Sequence, residues 1–365
     1  MNTTVDLHGL TPPDLAAHLR QNGVTVTDAE TRRLMGWAIS QGRLDFDQMP
    51  KPVPRRVRDA LGTLTTAHRP RVLERVTDPI DHSVRYLFEA HDGKIFETVR
   101  IPLHKENHFS VCLSSQAGCA MKCDFCATGR LGLLRNLTAA EIVGAFCAVR
   151  DEAPGRVSGA VFMGQGEPFH NYDAVLQAAA VLSHPCGGRV AQKSITISTV
   201  GLIPRIEQFT KEGHKYRLIV SLTSAIDEKR ARMMPVAGRW KVAQLAQALK
   251  ARTQATGRRA TLAWVLMGGV NHGQDEVEAL KTTFAGIPLR LNLIDINDSR
   301  PDGYRRATDA ERNAFMDALQ ILGMPIVRRY SVGQSEDSAC GMLAGKASAA
   351  LDDASGRALQ AAPAL

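Results

Sequence analysis

The residues of this chain best suited to chemistry by type and spacing are three cysteines within eight positions, Cys119-x-x-x-Cys123-x-x-Cys126. Thiolates are soft metal ligands. Three on one short loop can hold three irons of a [4Fe–4S] cube, which leaves the fourth iron without a protein ligand. An iron open in this way can chelate the amino and carboxylate groups of S-adenosylmethionine (SAM) and pass an electron into its sulfonium, and homolysis then gives a 5′-deoxyadenosyl radical. Zinc is the competing occupant, because Cys-x-x-Cys is a common half-site. A structural zinc ion wants four ligands, however, and neither a second Cys-x-x-Cys nor a His pair follows at finger spacing. Phe125, directly before the last cysteine, favours the cluster. The chain has seven cysteines, an odd number, and its opening Met1-Asn2-Thr3-Thr4-Val5-Asp6 has neither the positive nor the apolar region of a secretory signal. Metal or redox chemistry in the cytoplasm is therefore expected, rather than a disulfide framework.

Other polar residues fall where strands should end. Gly164-x-Gly166-Glu167-Pro168 follows an apolar run, and its glycines would let backbone approach a ligand, with Glu167 or nearby carbonyls accepting from the SAM ammonium. Taken alone, such a turn is more often only a turn. Ser198, then Ser221, Leu222 and Thr223, and finally Asn297 sit at the ends of later runs, where strand capping is the default role. Cys147 and Cys186 read as small buried hydrophobes. Cys340 differs, because Ala339 and Gly341 make an uncrowded loop around it.

These positions have to be held by a regular scaffold. Apolar, β-branched runs occur at 109–114, 157–163, 193–198, 217–223, 260–266 and 289–295, with a last run at 326–330. Helical periodicity fills the gaps at 138–150, 173–183, 202–211, 241–256, 274–284 and 309–322, and Thr138-Ala139-Ala140-Glu141 reads as a capping box. Six β–α units in succession mean parallel strands covered by helices. We expect an α/β fold closed into a partial (β/α)6 barrel over 105–346. Residues 1–80 read as a small helical accessory domain that binds RNA, with helices beginning at Thr11-Pro12-Pro13, at 28–41 and at 54–61. Residues 81–104 read as a β-hairpin connection turning at Asp92-Gly93, and 347–365 as a frayed tail. A hydrophobic content of 44% and a charged content of 22% fit a globular chain, and no run approaches the ~18 apolar residues of a membrane span.

The net charge of +8 is concentrated. Residues 189–259 hold 15 Lys and Arg against 4 Asp and Glu, and residues 51–75 hold 7 against 2. Lys229-Arg230-Ala231-Arg232, the stretch 252–259 and Arg55-Arg56-Val57-Arg58 are expected to track phosphates.

With its surroundings, the cysteine motif resembles the radical SAM ribosomal RNA adenine methyltransferases, the RlmN/Cfr family. The matching stretches are Cys112-Leu113-Ser114-Ser115-Gln116-Ala117-Gly118-Cys119, Phe125-Cys126-Ala127-Thr128-Gly129, Asn136-Leu137-Thr138, Met163-Gly164-Gln165-Gly166-Glu167-Pro168, Ile197-Ser198-Thr199 and Ala339-Cys340-Gly341. They run in order through residues 5–346. The resemblance implies one [4Fe–4S] cluster on Cys119, Cys123 and Cys126, and SAM bound by Gly166, Glu167, Ser198, Ser221, Leu222, Thr223 and Asn297. It also implies a detour around the poor nucleophilicity of an adenine carbon, at the cost of two SAM per turnover. Cys340 takes a methyl from one SAM, a second SAM supplies the radical that activates it, and Cys112 resolves the adduct through a transient disulfide. The resemblance implies Glu97 or Cys112 as the acceptor of the base proton, although a Glu on an edge strand is usually just solvated. Implied partners are rRNA, with tRNA as a second RNA, and an electron donor such as flavodoxin or ferredoxin. A monomer without membrane contact is expected.

Two departures stand out. Ser221-Leu222-Thr223 replaces the family's Ser-Leu-His, and Val332-Gly333-Gln334-Ser335-Glu336-Asp337-Ser338 precedes Ala339-Cys340 where the family carries an Arg and more acids. C2 and C8 of adenine both stay open. The alternatives are a radical SAM methylase of a peptide, or a non-catalytic RNA-binding protein with a structural metal.

Overall fold

A computed structural model describes residues 4–298, 300, 303–334, 339 and 341–343. Cys340, Asp337 and the stretch expected to fray, 347–365, lie outside them.

The helices at the N-terminal end start where side-chain caps dictate. Thr11 caps α1 (Pro12–Gln21) and Thr27 caps α2 (Asp28–Met35), each as a capping box. The helix expected over 28–41 changes pitch: after α2 it continues as a single π-type turn, Gly36–Ser40. α3 (Arg55–Leu64) follows, and β1 (Val5–Asp6) pairs with β2 (Thr65–Thr66) to bring both ends of the segment together. Leu15, Leu19 and Leu61 join one continuous core with the barrel, and Gln177 donates to the Gly9 carbonyl at 2.9 Å.

A ten-stranded sheet forms the rest. Its antiparallel side is β3 (Arg71–Thr77), β4 (Val84–Glu89) and β5 (Ile95–Pro102). Its parallel side begins with β6 (His108–Leu113) and continues with β9 (Arg156–Phe162), β10 (Ile195–Thr199), β11 (Arg217–Ser221), β12 (Ala260–Leu266), β13 (Leu289–Asp295) and β14 (Ile326–Arg329). A small antiparallel pair, β7 (Gln116–Gly118) and β8 (Leu133–Asn136), flanks the short α4 (Ala127–Leu131). The covering helices are α5 (Ala139–Asp151), α6 (Tyr172–Ser183), α7 (Ile203–Lys211), α8 (Asp227–Met233), α9 (Val242–Thr256), α10 (Gln274–Thr283) and α11 (Asp309–Ala318). The six expected β–α units are thus present, and β14 adds a seventh parallel strand. The capping box at Thr138 is formed, with Glu141 returning to the Thr138 N–H at 2.9 Å.

Three expectations change. β3 falls in a stretch read as helical; its exposed Arg71, Leu73, Arg75 and Thr77 alternate with half-buried residues and disguise a strand. The hairpin at Asp92-Gly93 is no separate connection, because β5 pairs directly with β6. The fourth parallel run ends at Ser221, and Thr223 instead takes a left-handed backbone with φ of 62°.

Candidate active site

The cluster loop is closed by glycine. At Gly118, φ is +75° and a Cβ would lie 2.0 Å from the Gly132 carbonyl oxygen, so only glycine lets β7 meet β8 so closely. The Cys119 N–H donates to that same carbonyl at 2.7 Å. Cys123 packs under Gly129, whose added Cβ would stand 2.8 Å from the Cys123 carbonyl. Cys126 caps α4, and the Asp124 N–H reaches Met233 at the end of α8.

Burial pushes the Cys119 thiol up to about 12, with the neighbouring Cys126 and Glu167 charges adding to the effect. Burial also raises Cys123 well above its ordinary range, and Cys126 and Cys119 raise it further. Three thiolates that oppose one another in a buried loop need a positive partner, and iron supplies one. Among the described residues no three His, Cys, Asp or Glu side chains converge as they would around a single ion. Three thiolates that each hold a different corner of a cube need no such convergence, so the donor set fits the cluster.

Beyond the cysteines, the residues expected to hold SAM lie at or just past the C-terminal ends of the strands. Gly164 abuts Leu113 and Ser114. Gly166, at φ +99°, faces Gln116, where a Cβ would meet the Gln116 Cβ at 2.6 Å. Both oxygens of Glu167 accept backbone donors, Phe169 N–H at 2.9 Å and Val200 N–H at 2.8 Å. Burial raises its carboxyl to about 7. Glu167 therefore ties the turn after β9 to the end of β10, leaving nearby carbonyls as the more open acceptors for an ammonium. Ser198 lies on β10, half-buried, and Ser221 closes β11. Leu222 and Thr223 both donate backbone N–H to Ala263. The Asn297 side chain is held by Arg306, which also bonds the Ile296 carbonyl at 3.0 Å and Gln334 at 2.7 Å.

Sequence reasoning missed the residue that organises this rim. Arg230 was expected to face phosphates; it is 3% exposed. Its guanidinium donates to the carbonyls of Val200 at 2.6 Å, Leu222 at 3.2 Å, Ser221 at 3.3 Å and Ala237 at 3.5 Å, joining the ends of β10 and β11. The other basic stretches are committed in part, with Arg232 and Arg259 left exposed. Lys229 pairs with Asp275, Arg252 is buried over the Phe209 ring, and Arg55, Arg56 and Arg58 face Asp59, Glu30 and Asp47.

Glu97 is no solvated edge residue. β5 lies inside the sheet and Glu97 is fully buried; its Oε1 is 2.7 Å from Arg85 Nη1, and its Oε2 accepts from Gln165 Nε2 at 3.3 Å. Val99 pairs with Cys112 across β5 and β6, so by strand alternation Glu97 and Cys112 share one face. Val99, Cys112 and Leu343 form one buried cluster. The residues flanking Cys340 are seated on the cluster loop: Ala339 is buried, Gly341 O accepts from the Ala127 N–H at 2.7 Å, and Leu343 O accepts from Thr128 Oγ1 at 2.7 Å. Cys147 is buried within α5, and Cys186 is half-buried in a turn.

A partial parallel barrel with three cysteines beyond its first parallel strand is the architecture of a radical SAM enzyme, and residues 113–280 match the Radical SAM superfamily. A probable RNA methyltransferase of Anaeromyxobacter sp. (strain Fw109-5) is 47% identical over 337 residues, covering 91% of this chain and 97% of that protein. The dual-specificity RNA methyltransferase RlmN of Geobacter sulfurreducens is 34% identical over 361 residues, covering 99% and 98%. A radical SAM methyltransferase from Sphaerobacter thermophilus superposes with a TM-score of 0.85 at 33% identity, covering 93% and 99%. The chain belongs to the RlmN/Cfr family of radical SAM methyltransferases. Among the described residues no helix is long and apolar enough to cross a membrane.

Proposed function

We propose that the protein methylates an adenine carbon, C2 or C8, of RNA, with rRNA as substrate and tRNA as a second one. The observation that carries this reading is the seat of Ala339 and residues 341–343 on the cluster loop, with Leu343 against Cys112. A methyl-carrying Cys340 and a resolving Cys112 need that proximity. Cys119, Cys123 and Cys126 hold the cluster, which when bound supplies the electron that cleaves SAM. Gly166, Glu167, Ser198, Ser221, Leu222, Thr223 and Asn297 line the SAM side of the rim. Cys340 accepts a methyl group from one SAM. With a hydrogen atom lost from its S-methyl group to the radical that a second SAM would supply, that carbon bonds to the base, and the adduct gives up the base proton and returns one electron to the cluster that would be bound. Cys112 then attacks the Cys340 sulfur, so that the S–S bond forms as the bond between that sulfur and the base-linked carbon breaks, and that carbon keeps the electron pair and takes a proton to become the methyl group. A dithiol-class reductant resets the pair. Glu97, on the face it shares with Cys112, accepts the proton lost from the base. A flavodoxin or ferredoxin is the proposed electron donor, and the cytoplasm the proposed location.

The test is anaerobic turnover of the iron-loaded enzyme on RNA, followed by mass mapping of the product. Cys340→Ala is expected to abolish methylation and keep its iron. Cys112→Ala is expected to accumulate a covalent RNA–protein adduct. Multiple turnovers by Cys112→Ala would remove its resolving role, and SAM cleavage without any methyl in RNA would remove the RNA reading.

A further inference from the structure

The end of the barrel opposite the cysteines carries charge that the fold does not use. His108 and Arg156 open β6 and β9, Arg217 opens β11, and Arg290 is the second residue of β13. Arg189, Lys193, Lys215 and Arg259 lie in the connections on the same side. Arg156, Arg189, Lys193, Lys215, Arg217, Arg259 and Arg290 are all exposed, and among the described residues none forms an ion pair. Acids that end covering helices, by contrast, are already engaged: Asp151 faces Arg69 and Arg150, and Glu152 faces Arg75.

Within this pole lies a cavity of about 470 Å³, lined by His108, Arg156, Ser158, Ser183, Arg189 and Ser194. Its arginines are not there to cap a helix. The last carbonyls of α6 are satisfied by backbone, Val181 O by the His184 and Gly188 N–H groups and Leu182 O by the Val190 N–H. The turn that carries Arg189 is rigidly built. A Cβ at Gly187 would lie 1.9 Å from the Val181 oxygen, and one at Gly188 2.8 Å from the Leu182 oxygen. Ser40 Oγ from the helical segment donates to Gly187 O at 2.7 Å, and His184 Nδ1 accepts from the Cys186 N–H at 3.0 Å. Arg189 itself is held at φ +59°, a conformation unfavourable for a long side chain. An exposed arginine on a held backbone, beside a second arginine, an imidazole and the hydroxyls of Ser158 and Ser194, is a donor set for a tetrahedral oxyanion, whereas Ser183 is already committed to the Ala180 carbonyl at 3.2 Å.

We propose that this cavity seats a backbone phosphodiester of the RNA substrate, with Arg156 and Arg189 as the charged contacts and Ser158 and Ser194 as neutral donors. The proposal rests on the RNA reading above and deepens it. Strands of five to seven residues make the barrel wall about 20 Å tall. A folded RNA that offers a base at one rim can therefore lay a neighbouring strand along the wall to the other. The pocket positions RNA and reads no sequence, as phosphate contacts do.

The test compares wild-type holoenzyme with the double variant Arg156→Ala/Arg189→Ala in equilibrium binding to a labelled RNA stem-loop across a range of salt. Losing two phosphate contacts should lower the slope of log K against log salt by about 1.4–1.8. SAM cleavage in the absence of RNA and the thermal unfolding midpoint should stay as in the wild type. An unchanged slope overturns the proposal. So does an unchanged slope accompanied by weaker binding of inorganic phosphate, which would make the cavity a free-phosphate site. A loss confined to an acidic flavoprotein donor would overturn it in favour of protein docking. Wild-type enzyme that binds no RNA at any salt refutes the RNA reading itself, a result distinct from these.

Discussion

Arg85 and Glu97 are the sharpest place to perturb the protein, because their side chains are 2% and 1% exposed and meet at 2.7 Å. Removing one partner of such a buried pair leaves the other charge desolvated, which typically costs about 3–5 kcal/mol. After Arg85→Met, Glu97 retains the longer contact from Gln165 at 3.3 Å, which offsets part of that loss. The pair is also imperfect on the arginine side. Arg85 Nε and Nη2 find no hydrogen-bond partner among the described residues, and the Glu74 carboxylate stands 3.7 Å away on a 40% exposed side chain. Arg85→Met and Glu97→Leu should each destabilise by about 3 kcal/mol or more, while the double variant costs clearly less than the sum. Urea unfolding of the anaerobic holoenzyme gives all four corners of the cycle, provided the m value is constant. Single variants costing under about 1 kcal/mol, or strictly additive effects, would refute the assignment of a coupled buried charge pair. If the pair is coupled, Arg85 becomes a positioning residue for Glu97, and Arg85→Lys should recover more stability than Arg85→Met.

The remaining predictions concern the cluster loop and acid stability. Gly118→Ala puts a Cβ 2.0 Å from the Gly132 oxygen, where backbone must move, so the variant should fold but load much less iron than wild type on anaerobic reconstitution. Full iron content would show that β7 and β8 do not need that approach. Arg135 bonds both Asp92 and Glu141. Its hydrogen bonds hold Asp92 well below the usual carboxylate range, and together with Thr138 they hold Glu141 low against the upward push of burial. A depressed folded-state pKa gives stability that is present above the unfolded carboxylate value and lost as pH falls through the folded one. Arg135→Met should therefore lower stability at neutral pH and flatten its decline below about pH 4. Parallel melting curves for the two proteins down to pH 3 would contradict the bridge.

What could be read from the chain depended on whether a property is local. The triad Cys119, Cys123 and Cys126 lies on one loop, so its spacing favours a cluster over zinc before any fold is known. The Thr138 capping box is equally local, and it forms as read. Glu97 is the counterexample. Its role as a buried acid depends on β4 and β3 lying outside β5. β3 alternates exposed and half-buried side chains along Arg71–Thr77, so it has no apolar run to announce it. Arg230 fails for a related reason: a sequence shows where a charge is, but not which way its helix turns it. One signal was available. Asp227-Glu228 immediately after Ile226 marks an acidic first turn, and Arg230, three positions after Asp227, had to fall on one defined face of that short helix.

Thr223 depends on its surroundings in the same way. A β-branched residue at φ 62° is disfavoured, and here its backbone is fixed at both ends, with its N–H on Ala263 O at 3.3 Å and its carbonyl on Asn271 Nδ2 at 2.7 Å. Its hydroxyl is buried and has no hydrogen-bond partner among the described residues. Asn271 also holds the Val265 carbonyl at 2.8 Å and the Met267 N–H at 2.9 Å, so the strained turn is braced by the strand beside it. The same turn presents the Ser221 and Leu222 carbonyls to Arg230. Strain maintained by this many contacts belongs to a backbone whose direction matters more than the side chain it carries. Threonine where the resemblance implies histidine therefore leaves the backbone course of this turn in place, because Ala263, Asn271 and Arg230 hold it.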